Sequence, residues 1–308
     1  MTLEDCIRTA AEIGADGYEI VATQMLPSYP YVTDEVAGFF RRMEDKYGIA
    51  PICYGANMDC GMRRDRDLTE DEMLAMAIND LKSAKKLGCK VIRQQYLLSP
   101  NAMVRLAPYC EEYDIRVGIE IHNPETAYTA PIMAYREAYE KCGSKYLGFV
   151  PDFGSFATAP NKCKWDKALA AGVSEEVLHK ITEMKYAEAP QEETIAKAAE
   201  MMGGNPGPAM DFIMGAYGFV QFRKSCRKEL EGLKEIMPIS FEMHAKCHYV
   251  DENLHEPAIP YEEIIPVIAN SDFDGYIVTE YENEGGYSGI EMAKRNMAMI
   301  RKIVDEMK

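Results

Sequence analysis

Apolar residues along this chain follow two alternating rhythms. Long segments repeat at intervals of three and four, as on one side of a helix. Leu3, Ile7, Ala10 and Ala11 form such a side, with Thr2 placed to cap it and Gly14 to stop it. Val36, Phe39, Phe40 and Met43 form a second, opened by Thr33 and closed by Gly48. Thr69 and Glu72 make a capping box ahead of Met73, Ile78, Leu81 and Leu87, with Gly88 at the end. The same pattern predicts helices near 101–112, 130–142, 261–270 and 288–307. Between the helices lie short continuous apolar runs at 17–21, 49–54, 90–94, 117–121, 148–150, 239–243 and 276–279. Runs of this length between helices are the mark of parallel strands buried on both faces.

Seven strands alternating with helices predict an α/β fold, a (β/α)8 barrel, which needs ~250 residues. The 308 residues accommodate one such domain with an insertion. A closed barrel has eight strands, and this sequence reads directly into a helix, so the strand expected to be absent is the first. Either an N-terminal strand is lost or a neighbouring chain or segment fills the gap, because an exposed sheet edge is a liability. The stretch at about 156–237 is too long for an ordinary connection. Helical patterns near 174–185, 190–202 and 208–234 flank Gly203-Gly-Asn-Pro-Gly-Pro208, and predict a helical insertion over the barrel mouth.

Polar residues interrupt the apolar runs at one end. Glu120 closes the run Arg116-Val-Gly-Ile-Glu120-Ile-His122, Asp152 follows Tyr146-Leu-Gly-Phe-Val-Pro151, and Glu280 follows Gly275-Tyr-Ile-Val-Thr279. A fourth run brings His244, in Glu242-Met-His244-Ala-Lys246-Cys-His248. Barrels build their active sites from residues at the C-terminal ends of several strands. Strand period two sends Glu120 and His122 to one face, and likewise Glu242, His244 and Lys246. A buried carboxylate needs a partner, which a cation supplies. Three carboxylates and an imidazole suit Mn²⁺, Mg²⁺, Co²⁺ or Zn²⁺, with carboxylate dominance leaning to the harder ions. The plainer alternatives are a buried Glu120–His122 pair and a turn or cap aspartate at Asp152. Lys246, His248, Glu282, Arg93 and Asn57 are candidates for substrate contact. Glu282 competes with Glu280 as the ligand, and Arg93 can instead pair with an acid. Glu19 is expected in the barrel interior or mouth. His179, His255 and Trp165 are expected to be structural or exposed.

Composition then removes whole classes. A formal charge of −16 disfavours a nucleic-acid partner, since affinity for phosphates rests on Lys and Arg. Five histidines are too few for a three-zinc repair endonuclease of this architecture. Nine dispersed cysteines without a C-x-x-C pair suit a reducing compartment. No apolar run reaches the ~20 residues of a membrane span, and no signal peptide is read at the start. A cytoplasmic protein is expected.

The order Gly14-Ala-Asp-Gly-Tyr-Glu19, Gly148-Phe-Val-Pro-Asp152, His244-Ala-Lys246 and Gly275-Tyr-Ile-Val-Thr-Glu280 resembles the sugar isomerase/epimerase superfamily, whose barrel is xylose isomerase-like. The resemblance implies one divalent ion, Mn²⁺ first, on Glu120, Asp152, His244 and Glu280. More narrowly, Thr2-Leu-Glu-Asp-Cys6, Lys46-Tyr-Gly48, Cys53-Tyr-Gly55, Arg66-Asp-Leu68 and Glu120-Ile-His-Asn-Pro124 resemble the catalytic α subunit of bacterial C-glycoside deglycosidases. That implies His122 as base, 3-oxo-C-glucosides as substrates, and a small β subunit as partner. An oligomer is also expected. Glu120 and Glu280 would share the base role in the alternative, a ketose or sugar-phosphate 3-epimerase or isomerase. An inactive sugar-binding or scaffold subunit is the non-enzyme reading. Three departures stand out: the absent first strand, Ser155 where many isomerases carry a histidine three residues after the metal aspartate, and the insertion.

Overall fold

The structure is a computed structural model that describes residues 1–95, 98–282 and 286–307. The predicted helices form where their caps place them. Thr2 accepts from Asp5 N and Asp5 returns the bond, fixing the start of the helix Leu3–Glu12. Thr69 and Glu72 do the same for Glu70–Leu87, which ends on Gly88 at φ 85°. That left-handed value suits glycine.

Among the described residues seven strands form: β1 (Gly17–Val21), β2 (Ala50–Ala56), β3 (Val91–Gln94), β4 (Arg116–Ile121), β5 (Leu147–Pro151), β6 (Glu242–Cys247) and β7 (Tyr276–Tyr281). β1 to β5 make one parallel sheet in sequence order, and β6 pairs with β7 in parallel. Two parallel bridges, Phe149 to Ser240 and Asp152 to His244, join β5 to the β6 segment. All strands thus follow one another in chain order with helices between, the xylose isomerase-like barrel arrangement. β1 and β7 do not pair with each other. Between them lies a cavity of about 570 Å³. Its walls include Tyr18 and Glu19 of β1, Ile277 and Thr279 of β7, and Ala10 and Met297 of the flanking helices. This is where an eighth strand of a closed barrel belongs. Burial agrees: β3 and β5 are buried throughout, whereas β7 is half-buried and Tyr276 exposed.

Two expectations need correction. β6 starts later than the apolar run at 239–243, because Met237–Ile239 closes into a 3-10 turn around Pro238. The strand carries polar Glu242, His244 and Lys246 on its inner face, and their polarity hid its extent. The expected helix at 208–234 is two helices, Met210–Tyr217 and Arg227–Ile236, separated at Gly218 by a non-helical segment. A further helix, Lys162–Ala170, precedes those expected in the insertion. The insertion keeps its own apolar core around Leu178, Ile181, Phe212 and Ile213, with Trp165 packed against it. Among the described residues no helix is long and apolar enough to cross a membrane.

Candidate active site

The strand ends bring four distant residues together. The bridge sets Asp152 beside His244, and the β6–β7 register sets Lys246 beside Glu280. One ligand atom each from Glu120, Asp152, His244 and Glu280 falls within 4.8 Å of the others. His244 Nδ1 lies 2.9 Å from Glu120 Oε1 and 3.2 Å from Glu280 Oε2. Neither contact has hydrogen-bond geometry, and Nδ1 is left buried without a partner. So are Glu120 Oε2, Asp152 Oδ2 and Glu280 Oε2. Buried polar atoms are ordinarily satisfied, so one orphan on each of the four clustered residues calls for a missing partner. An octahedral shell with metal–ligand distances of ~2.1 Å puts neighbouring ligand atoms ~3 Å apart, which is the spacing around Nδ1. The donor set suits a divalent metal ion. Asp152 fulfils its plainer role as well: Oδ1 accepts from Gly154 N at 2.6 Å, capping a 3-10 turn, while Oδ2 faces the cluster.

Behind the cluster lies a buried support. His244 Nε2 meets Glu19 Oε2 at 2.8 Å. Glu19 Oε1 accepts from Arg93 Nε at 3.0 Å and contacts Nη2 at 2.9 Å. Arg93 also lies 3.5 Å from Glu120 Oε2 and donates to Asn57 Oδ1 at 3.3 Å. A carboxylate can only accept, so Nε2 carries the proton and Nδ1 is free to offer its lone pair to an ion. Gly55 leaves room for this: a Cβ there would collide with the Glu19 carboxylate and lie 2.9 Å from Arg93 Nη2.

The electrostatics divide the acids. Burial opposes ionisation of Glu19 and Glu120, yet His244 and Arg93 outweigh it and hold both carboxyls below their usual range. Glu280 behaves likewise through His244 and Lys246. Burial raises Asp152 to about 6 against the pull of Lys246. Glu242, buried with both oxygens unpartnered, rises to about 8 through burial and the Glu19 charge. His244 resists burial and is raised well above the usual histidine value by Glu19 and Glu120.

On the open side, His122 Nδ1 sits 2.6 Å from the Asn123 carbonyl. That oxygen accepts only, so Nδ1 holds the proton and Nε2 presents a lone pair. Nε2 lies 3.9 Å from Asp152 Oδ2 and 3.4 Å from Lys246 Nζ. Lys246 is 2% exposed and touches three carboxylates: Asp152 at 3.2 Å, Glu280 at 2.9 Å and Glu282 at 2.7 Å. His248 is buried, and burial lowers its pKa to about 4, so it is neutral at pH 7. His122, Asp152, Lys246, His248 and Glu282 all line one pocket.

The candidates thus sort by place. Glu120, Asp152, His244 and Glu280 converge, with Glu282 one step off on Lys246. His122, Lys246, His248 and Glu282 face the pocket. Arg93 and Asn57 lie behind the cluster, where Arg93 pairs with two acids. His255 is exposed beside Glu262, and His179 packs edge-on to Trp165. Sequence reasoning missed Asn123, Phe219 and Val220 at the pocket. Asn123 follows the Glu-x-His pair directly and was within reach. The other two lie on the insertion, where no local pattern signals a site.

Known proteins share this fold. The family described as "Xylose isomerase-like TIM barrel" matches residues 7–303. A Microbacterium protein described as "3'-dehydrocarminate deglycosidase alpha subunit" is 32% identical, the match covering 91% of this chain and 83% of that protein. Two solved structures share the fold. One is the IolI protein with a bound zinc atom, at TM-score 0.57 and 13% identity over 99% of this chain and 94% of that one. The other is a D-tagatose 3-epimerase-like protein, at TM-score 0.57 and 16% identity over 99% and 96%. The chain belongs to the xylose isomerase-like TIM-barrel family.

Proposed function

We propose that this chain is a divalent-metal enzyme that removes a proton from the carbon beside a sugar carbonyl. In its most specific form it is the catalytic subunit of a C-glycoside deglycosidase acting on 3-oxo-C-glucosides. The observation that carries the reading is the His122 Nε2 lone pair, which accepts from Lys246 Nζ at 3.4 Å and lies 3.9 Å from Asp152 Oδ2, one of the four converging ligands. Support for the narrower form comes from the 32% identical relative, whose name describes a deglycosidase α subunit.

Glu120, Asp152, His244 and Glu280 would hold the ion, Mn²⁺ by preference. A divalent ion there supplies a Lewis acid for the carbonyl oxygen. His122 takes the C2 proton at Nε2, while Nδ1–H on the Asn123 carbonyl fixes the ring. Lys246, Glu282 and His248 stand where sugar hydroxyls would be bound. The electron pair left at C2 forms the C1–C2 double bond as the C1–aryl pair departs with the aglycone. A proton is delivered to the departing aryl carbon. One proton leaves and one returns, with no water consumed and no change of oxidation state. The α designation of the relative supports a small β subunit as partner.

The test is the purified chain with Mn²⁺, with and without a candidate β subunit, on a 3-oxo-C-glucoside and on free ketohexoses. Release of aglycone with an unsaturated ketosugar is expected. Epimerised ketose without aglycone release would instead favour a ketose 3-epimerase. Metal binding without turnover of either would favour a sugar-binding subunit.

A further inference from the structure

The pocket lining mixes polar side chains, among them His122, Asn123, Lys246 and Glu282, with apolar ones. The apolar members are Ala157, Ala159, Phe219, Val220 and Ala258, and Phe219 is the largest of them. The ring is 70% exposed and stands edge-on to the His122 ring, centroids 6.1 Å apart at 67°.

This placement is held from several sides. Asn123, the residue after His122, donates from Nδ2 to the Gln221 carbonyl at 2.8 Å and to the Gly154 carbonyl at 2.9 Å. Lys185 reaches the Gln221 side chain at 3.1 Å, and Arg223 N donates to the Ala157 carbonyl at 3.1 Å. Phe222 is 2% exposed and packs edge-on against Tyr186. One phenylalanine of the segment is therefore its anchor, while the other, three residues earlier, is turned out at the pocket. Single exposed apolar side chains are common and need no explanation by themselves. This one is tied through Asn123 to the candidate base and lies on the wall of the same pocket.

We propose that Phe219, with Val220 and the three alanines, is the subsite for a flat aromatic group carried by the substrate, the aglycone of an aryl glycoside. A sugar held beside His122 and Lys246 brings its C1 substituent within reach of the neighbouring Phe219 ring, on which a flat group can stack. The inference rests on the reading of His122 and the four ligands as the reacting centre. It adds that the helical insertion selects for aromatic substrates.

The deciding experiment is equilibrium binding of a free polyphenol aglycone to the Mn²⁺-loaded chain, by fluorescence quenching or calorimetry. Phe219→Ala should weaken that binding about two- to tenfold, the worth of one aromatic stack. Phe219→Trp should keep it, and Phe219→Leu should fall between. A free 3-oxo-glucose, which has no aryl group, should bind all four proteins alike. In turnover, KM for an aryl 3-oxo-C-glucoside should rise in Phe219→Ala while kcat holds. Equal aglycone affinity in the parent and Phe219→Ala overturns the subsite. So does weakened assembly with a β subunit at unchanged aglycone affinity, which would make Phe219 a partner contact. If the parent binds aglycone through Phe219 but releases none from the glucoside, the subsite stands and the deglycosidase reading falls.

Discussion

Replacing Glu19 by glutamine tests the support behind the metal ligands without touching a ligand. The Glu19 carboxylate serves two donors, His244 Nε2 at 2.8 Å and Arg93 at 2.9 and 3.0 Å. Side-chain exposures are only 8% at Glu19, 3% at His244 and 7% at Arg93, although all three border the cavity between β1 and β7. An amide at position 19 has one acceptor end and one donor end. With its oxygen toward His244, its NH2 faces the buried guanidinium, donor against donor. With its NH2 toward His244, Nε2 must accept, so the proton moves to Nδ1, the atom the ion needs. The second arrangement puts a proton on the atom that would bind the ion, and the first loses a hydrogen bond to a charged group, ~1.5–3 kcal/mol. At ~1.4 kcal/mol per tenfold, that is a Kd for Mn²⁺ weaker by roughly 10- to 100-fold, the usual range for lost outer-shell partners. Calorimetric titration of Mn²⁺ into chelator-treated protein near neutral pH measures it. Thermal melts of the ion-free proteins check that the fold survives. A Glu19→Gln protein that folds and binds Mn²⁺ within twofold of the parent would refute the reasoning.

Four further outcomes are expected. His122→Ala should lower kcat by at least ~10²-fold, a typical general-base contribution, while Mn²⁺ affinity stays put; near-full activity would remove His122 from the base role. Chelation should lower the melting temperature, since an ion at 100 times its Kd adds ~2.7 kcal/mol, or ~4 °C for a chain of this size. The proton on His244, held well above the usual histidine range by Glu19 and Glu120, competes for Nδ1, so Mn²⁺ affinity should climb as pH rises through neutrality and beyond in the same titrations; a flat profile would exclude Nδ1 as a ligand. Asp80→Asn concerns stability alone. Asp80 is 6% exposed, meets the Tyr54 hydroxyl at 3.2 Å, and burial raises it to about 7. Its folded-state pKa lies above the unfolded one, so the protein is favoured below pH ~4 and loses up to ~4 kcal/mol as pH rises to about 7. Asp80→Asn should be the more stable protein at pH 8 in urea melts, and the gain should vanish near pH 4. An equal effect at both pH values would count against the charge argument.

How legible each part was in the sequence follows from where its signal lies. Caps and stops are local, so Thr2, Thr69, Gly48 and Gly88 end their helices as read. Apolar runs between helices gave the strands, except β6, whose inner face is polar because it lines the site. The continuous helix expected at 208–234 broke because the pocket segment between its halves is held by Asn123 and Arg223, and such distant partners leave no periodic trace.

What the sequence by itself determined was the alternation of helix and strand, the family, and the residue types able to bind an ion. Those depend on nearest neighbours along the chain and on the order of short motifs. Only the tertiary structure decided which atoms meet. Strand register chose Glu280 over Glu282 for the cluster, and the approach of β1 to β6 set Glu19 against His244 across 225 residues of sequence. Folding of the insertion carried Phe219 to His122. The physical reason is that ligation and hydrogen bonding act over ~3 Å, a distance that position along the chain does not encode.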